Sequence, residues 1–394
     1  MTNTKENNPL GQHEINTIRL GVLGGGQLGK MLALAAGNWH LPMYFLDKDP
    51  SFPAARFAAH FEAGDFNLES DVLRFGQMVD VLTIEIEHVH LGALHQLQAS
   101  GLTIHPSPDV LETIKDKGLQ KLFYAEHEIP TAPFVLYESY EAVLDALKKG
   151  TLKPPFVQKT RTDGYDGRGV AIIRTSSDYE KLIPGGTLIE TIAPIEKELA
   201  VLVARNERGE IKAYPTVEMD FNPEANLVEF LICPARIDQE LEARAEKLAI
   251  QVIEAFGVCG LLAVEMFLTQ DGALWVNEVA PRPHNSGHHT IDSCTTSQFE
   301  QHIRAVLNLP LGDTRLHTPA VMVNLLGAPG FSGLVHYEGL SECLAIPGVH
   351  LHLYGKDETR PFRKMGHATI VAPDLGTAID RAEQVRDTLR ILSK

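Results

Sequence analysis

The chain has 394 residues, 44% hydrophobic and 22% charged, which is the composition of a globular protein of two or three domains. A largely disordered chain and a small disulfide-stapled scaffold are both excluded. With 35 basic against 51 acidic residues the net charge is −16. That argues against holding a nucleic acid by phosphate neutralisation, but leaves room for a small anion in a local basic pocket.

Residues 1–17 carry no apolar run and read as a loose tail, not a signal peptide. A strand is expected over 18–23, entering Gly24-Gly25-Gly26-Gln27-Leu28-Gly29, then a helix over 30–36 and a strand over 43–46 ending at Asp47. This is a β-α-β opening, with its ligand end at the carboxyl ends of the strands. A further strand, 79–86, carries Glu85 and Glu87 near its carboxyl end. His105-Pro106-Ser107-Pro108 suits neither helix nor strand and marks a first boundary. A helix is expected over 110–126, followed by a proline break at 129–134.

From 156 to about 268 short strands dominate, apart from one helix. There Leu241, Ala245, Leu248, Ala249, Val252, Ile253 and Phe256 share a face between an Asp238 N-cap and a Gly257 stop. Residues 308–319 form a second boundary, and the remainder reads as a small domain ending in a helix over 375–392. The uncharged stretch 318–337 contains Pro319, Gly327, Pro329, Gly330 and Gly333, which a membrane-spanning helix would rarely combine. Cys233, Cys259, Cys294 and Cys343 lack C-x-x-C spacing and read as buried reduced thiols. A cytoplasmic protein with neither membrane nor nucleic-acid partner is expected.

Gly24-x-Gly26-x-x-Gly29, with Asp47 lying 21 residues beyond Gly26, fits a dinucleotide fingerprint. A NAD-dependent oxidoreductase is therefore one reading, although the same loop suits any phosphate at a helix N-terminus. A second loop, Gly164-Tyr165-Asp166-Gly167-Arg168-Gly169, lies between two strand-like runs and lacks the G-K-[ST] of a Walker loop. Its backbone N–H groups could close over phosphates, with Lys159 supplying a point charge.

Apolar strands at 261–268 and 273–279 flank Thr269-Gln270-Asp271-Gly272. A two-residue Asp-Gly turn pairs Gln270 with Ala273, and that register sets Glu265 opposite Glu278, with Cβ atoms about 4.5–5.5 Å apart. Two carboxylates among apolar neighbours need a cation or a shared proton between them. Hard oxygen donors with no His or Cys beside them favour Mg²⁺. Downstream, His284 and His288 have the i, i+4 spacing of a zinc pair, but Pro281, Pro283 and Gly287 disfavour a regular helix. With Arg282 they read better as the lining of an anion site. Lys356, Arg360, Arg363, Lys364 and His367 form a basic cluster, suited to a phosphate or to a solvated turn.

Four segments together, GGGQLGKM (24–31), KTRTDGYDGRG (159–169), NEVAPRPHNSGHHT (277–290) and GKDETRPFRKMGH (355–367), resemble the ATP-grasp superfamily. Within it they are similar to the N5-carboxyaminoimidazole ribonucleotide synthases of purine biosynthesis, from about Arg19 to His367. The resemblance implies a three-domain architecture of α/β and α+β type. A tail (1–17) would precede a Rossmann-like pre-ATP-grasp domain (18–108), a two-lobed ATP-grasp domain (109–310) and a small C-terminal domain (311–394), in a homodimer. It implies a ligase that carboxylates 5-aminoimidazole ribonucleotide with bicarbonate and ATP, through carboxyphosphate.

It further implies that Lys117 and Lys159 meet the ATP phosphates, under a loop of Gly164, Tyr165, Asp166, Gly167, Arg168 and Gly169. Glu190, Thr191, Ile192 and Ala193 would line the adenine hinge, Glu198 would take the ribose hydroxyls, and Glu218 and Asn277 would complete the nucleotide site. Glu265 and Glu278 would hold one or two Mg²⁺ ions. Gln27 and Glu85 would lie near the ribose of the ribonucleotide, Lys356 and Arg363 on its phosphate, and Tyr165 near its amine. His284, Asn285 and Ser286 would line the acceptor side. Asp166, Arg168, Arg282 and Lys356 are the catalytic candidates.

Two positions depart from the family pattern. Ala280 stands where many ATP-grasp enzymes have asparagine, which bears on a second metal. Phe362 replaces the usual glycine before Arg363, which bears on that residue's aim. Other ATP-grasp ligases, such as a formate-using transformylase or a biotin carboxylase, and a non-catalytic nucleotide sensor are the rival readings.

Overall fold

The computed structural model describes residues 14–162, 169–222 and 227–394. The first sheet is parallel, with His60–Ala63, Met43–Asp47, Leu20–Leu23, Val81–Ile84 and Thr103–Ile104 side by side in that order. Every residue of Leu20–Leu23 is buried, as expected for a strand covered by helices on both faces. Helix Gln27–Gly37 starts directly on the glycine loop and buries Met31, Leu32, Ala33 and Ala36. Phe299, Ile303 and Val306 of helix Gln298–Val306 complete the same apolar cluster, so the first domain is packed onto the second.

The expected single helix over 110–126 is two helices, Pro108–Lys115 and Lys117–Glu126. Asp116 ends the first and caps the second by accepting from the N–H groups of Gly118 and Leu119. It also pairs with Arg161 at 2.7 Å, a long-range contact that outweighs helix propensity at this one residue.

Two sheets face each other across a cleft. The smaller is antiparallel and runs Phe134–Tyr137, Thr187–Glu190, Phe156–Thr160, Val170–Ile173; helix Tyr140–Lys149 covers its outer face through Val143. Among the described residues the larger has nine strands, one of which, Ile211–Ala213, pairs only with Ile195–Arg205 off the main path. From Leu274–Ala280 it passes through Gly260–Thr269, Ile195–Arg205, Val217–Asn222, Leu227–Cys233, Ala320–Leu326 and Lys364–Val371 to Val349–Leu353. The C-terminal strands therefore extend the sheet of the preceding domain, across the segment 308–319 that reads as a boundary in the sequence. Helix Gln239–Phe256, capped by Asp238 and stopped at Gly257 as its periodicity predicts, covers one end of the outer face. Helix Leu375–Thr388 covers the other.

That last helix stops earlier than the expected 392. Residues Arg390–Ser393 form a strand antiparallel to Gly333–Glu338. Tertiary pairing wins there over a short helical pattern. The uncharged stretch 318–337 resolves into the buried strand Ala320–Leu326 and half of that small sheet. Among the described residues no helix is long and apolar enough to cross a membrane. All four cysteines are free and buried.

Candidate functional site

The N-terminal glycine loop is closed by the protein's own carboxylates. Asp47 Oδ2 accepts the Gly25 N–H at 2.7 Å, and Glu85 accepts the N–H groups of both Gly26 and Gly29. A carboxylate thus sits at the helix N-terminus, where the macrodipole favours an anion and where a pyrophosphate would bind in a dinucleotide fold. The glycines permit that approach, since a Cβ on Gly24 would fall 2.4 Å from Glu85 Cγ. Asp47 is 6% exposed and turned inward, so it does not present itself to a ribose. The dinucleotide reading fails on both counts. Burial pushes the Glu85 carboxyl up to about 7, against the pull of those two N–H groups.

The cleft between the two sheets gathers the second set of charges. On the small sheet, Glu190 is 4% exposed and holds Lys121 at 2.6 Å on one oxygen and Lys159 at 2.6 Å on the other. Burial opposes the Glu190 charge, but the two lysines outweigh it and hold the carboxyl below its usual range. Lys159 also donates to Asn277 Oδ1 at 3.0 Å. Val157 and Leu188 stand beside these groups on the cleft side of the sheet.

On the large sheet Glu265 lies opposite Glu278, as expected, but by a different route. The turn is a three-residue loop in which the Thr269 N–H meets the Ala273 carbonyl and Gly272 takes φ 81°. That shifts the register by one, pairing Leu268 with Leu274 and Met266 with Val276. A bulge at Asn277 then restores it, and so returns Glu278 to the cleft face beside Glu265. Lys117 is in direct contact with Glu278. Its charge holds the Glu278 carboxyl below the ordinary value, while burial and the neighbouring Glu278 charge push Glu265 upward. Glu198, on the same face, is pushed up to about 7 by burial.

The acceptor side is built by a three-residue helical turn, Asn285–Gly287. His284 Nδ1 accepts the Ser286 N–H at 3.3 Å, so its proton sits on Nε2, which points at Glu265 Oε1 3.6 Å away. Burial lowers the His284 pKa to about 3, so the ring is neutral. His288 turns away to Gln298 at 3.0 Å and stacks on His367, so the two histidines do not converge as a zinc pair. Among the described residues, Asn285 Oδ1 is buried without a hydrogen-bond partner. Arg282 pairs with Glu87 at 2.9 Å, joining the two domains.

The basic cluster closes the same space from the C-terminal domain. Lys356 Nζ donates to the Lys364 carbonyl at 2.7 Å and Arg363 Nη1 to the Glu358 carbonyl at 2.6 Å. Burial pushes Lys356 down to about 8, reinforced by Arg363 and opposed by the nearby Glu85. Phe362 adopts φ 61°, the left-handed conformation glycine takes readily, and donates its N–H to Gly327 at 2.8 Å. The loop shape is thus kept despite the phenylalanine, at a cost of roughly 1–2 kcal/mol.

The expected residues therefore fall into two neighbouring groups. Lys117, Lys159, Glu190, Glu198, Glu265, Asn277, Glu278 and His284 line the cleft, and Glu85, Arg282, Lys356 and Arg363 lie where the three domains meet. Gln27 opens the helix at the glycine loop. Thr191, Ile192 and Ala193 follow the Glu190 strand, with the Thr191 N–H given to Pro133. Gly169 takes φ 74° at the base of its loop, while Gly164, Tyr165, Asp166, Gly167 and Arg168 lie outside the described residues.

Glu218 is a correction. It pairs with Leu199 whereas Glu198 pairs with Met219, so their side chains leave the sheet on opposite faces. Glu218 faces the helix-covered side, held by Lys197 at 2.9 Å and by Arg236. Sequence reasoning also missed two residues. Gln298 is fully buried and braces the acceptor turn through both the N–H and the carbonyl of His284. Lys121 was visible only as a second lysine one turn after Lys117.

Three family profiles match in succession. They are a ribonucleotide synthetase preATP-grasp domain over residues 17–115, an ATP-grasp domain over 122–299 and a phosphoribosylaminoimidazole carboxylase C-terminal domain over 320–381. A chloroplastic phosphoribosylaminoimidazole carboxylase of Vigna aconitifolia is 38% identical over 369 residues, which cover 91% of this chain and 65% of that one. This chain thus spans just under two thirds of the plant relative. The crystal structure of N5-carboxyaminoimidazole ribonucleotide synthetase from Thermotoga maritima superposes with a TM-score of 0.88 at 44% identity, covering 96% of this chain and all of that one. An Aspergillus clavatus N5-carboxyaminoimidazole synthase, solved with ADP and 5-aminoimidazole ribonucleotide, gives 0.86 at 32% identity, covering 95% and 99%.

Proposed function

The chain belongs to the N5-carboxyaminoimidazole ribonucleotide synthase family of ATP-grasp enzymes, and from that premise we propose how its own residues carry out the family's reaction. ATP lies in the cleft between the two sheets, with Lys117 and Lys159 on its phosphates and Glu198 on its ribose. The family resemblance would bring residues 164–169 to its phosphates. 5-Aminoimidazole ribonucleotide lies where the three domains meet, its phosphate on Lys356 and Arg363 and its ribose near Gln27 and Glu85. The observation that carries this reading is the pair of half-buried lysines, Lys117 and Lys159, each held by a cleft carboxylate and poised to exchange it for a phosphate.

Bicarbonate is a poor electrophile, so the γ-phosphoryl group passes to it first, and the resulting carboxyphosphate delivers CO₂ to the substrate amine. The protein's task is to neutralise charge around the transferring group and to keep water out. Lys159 and Arg282 supply fixed positive charge, neutral His284 donates from Nε2, and Asp166 orients the amine or takes its proton. The family resemblance would also bring Arg168 to that amine. Two facing carboxylates, one pushed up by burial and by the charge of the other, fit a hard divalent cation. Glu265 and Glu278 would hold Mg²⁺, which supplies further charge neutralisation when bound. The assembly is a cytoplasmic homodimer.

The test is Mg²⁺-dependent ADP release with bicarbonate, with and without 5-aminoimidazole ribonucleotide. Strong stimulation, with one ADP per ribonucleotide consumed, is expected. ATP binding without stimulation would keep the fold and move the acceptor to another small molecule.

A further inference from the structure

Lys121 has no part in the scheme above, yet it is among the least accessible lysines the chain could carry. It lies four residues after Lys117 on helix Lys117–Glu126, so both face the cleft. Its side chain is 3% exposed and its partner Glu190 is 4% exposed. Desolvating an ammonium to that degree costs several kcal/mol before any pairing is counted. Lys121 also contacts Thr131 Oγ1, which donates to the Val276 carbonyl at 2.7 Å. Val276 precedes Asn277, the acceptor of Lys159, so the contacts close into a ring through Glu190.

We propose that Lys121 is a positioning residue for ATP: by occupying one oxygen of Glu190, it leaves Lys159 shared by that carboxylate instead of captured by it. The proposal rests on the reading that ATP binds in this cleft. The charge arithmetic is simple. Two lysines on one buried carboxylate leave a net positive charge, which a phosphate satisfies. One lysine on one carboxylate is a neutral buried pair. Lys159 could then leave only by stranding an uncompensated buried charge, which is the costly case.

The charge on Lys121 is also easily lost, because burial holds its pKa near about 8 in spite of Glu190. The groups that face it are Glu190 and Lys159 from the small sheet, with Lys117 and the Tyr124 ring from its own helix.

The test is steady-state kinetics in ATP at saturating Mg²⁺, bicarbonate and ribonucleotide. Lys121→Met is expected to raise the ATP KM at least about tenfold while kcat changes less than about threefold. Lys121→Arg should bring KM back to within about threefold. In the wild type, ATP KM should climb as pH rises through about 8 and Lys121 loses its proton; in Lys121→Arg it should stay flat.

An unmoved ATP KM in Lys121→Met overturns the proposal, and so does an Arg variant no better than the Met one. Where Lys121→Met does not fold, the two pH profiles decide alone: a rise in both, or in neither, overturns it. A wild type that does not turn over ATP sinks the nucleotide reading instead.

Discussion

The loop at residues 24–29 and the cleft around Glu190 both collect groups that would welcome a phosphate, and they differ in what those groups already hold. In the loop, the N–H groups are anchored by Asp47 and Glu85, and adding a phosphate there would mean expelling a carboxylate from a helix N-terminus. In the cleft, the phosphate-seeking groups are lysines, each paired with a carboxylate that another charged side chain also faces. Glu190 is divided between Lys121 and Lys159, while Glu278 holds Lys117 and faces the like charge of Glu265. A phosphate, with a cation for the paired glutamates, relieves both conflicts together. A sequence motif names the donors; whether they are free depends on side chains that arrive from elsewhere in the fold.

The largest expected effect tests the cleft side of this contrast. Glu265→Gln removes one of the two facing carboxylates, and ADP formation should fall by at least about 10²–10³-fold. Wild-type ADP formation would remove the metal assignment. Arg363→Ala should raise the ribonucleotide KM about tenfold while kcat and the ATP KM change little, since it loses only phosphate binding. The wild-type ribonucleotide KM should rise with pH through about 8, because the Lys356 ammonium, held down by burial, is then neutral and no longer attracts phosphate. A flat profile between pH 7 and 9 would detach Lys356 from that phosphate.

Two milder changes sharpen the loop side and the sheet. Glu85→Ala leaves two buried N–H groups without an acceptor, so stability in denaturant should drop by about 1–3 kcal/mol, with the ATP KM within about twofold of wild type. A large rise in ATP KM would mean that the loop contacts the nucleotide after all. Glu218→Gln should be the quietest in kinetics, because its side chain lies on the far face of the sheet. Any marked rise in the ATP KM would reinstate it in the nucleotide site.

Much of this was legible in the residues. The β-α-β opening, the capped helix Gln239–Phe256 and the hairpin strands follow from local patterns. The facing pair Glu265 and Glu278 was expected for an incomplete reason, since a three-residue turn and a bulge at Asn277 offset each other. No local signal distinguishes that combination from a plain two-residue turn. Phe362 shows the reverse case, a residue that breaks the local rule while the backbone keeps the φ of glycine. Asp116, the C-terminal strand Arg390–Ser393 and Glu218 were beyond local reading because distant partners decide each of them: Arg161, the strand Gly333–Glu338, and the register of Val217–Asn222 against Ile195–Arg205. Lys121 belongs with them, for its carboxylate comes from another strand.

The most direct measurement is calorimetric titration of the wild type, Lys159→Ala and Glu85→Ala with Mg-ATP and with NADH. One ATP should bind per wild-type chain, with affinity reduced at least about tenfold in Lys159→Ala, little changed in Glu85→Ala, and no NADH bound by any of the three. ATP binding that survives Lys159→Ala but is lost in Glu85→Ala, or NADH binding by the wild type, would contradict the assignment of the nucleotide to the cleft.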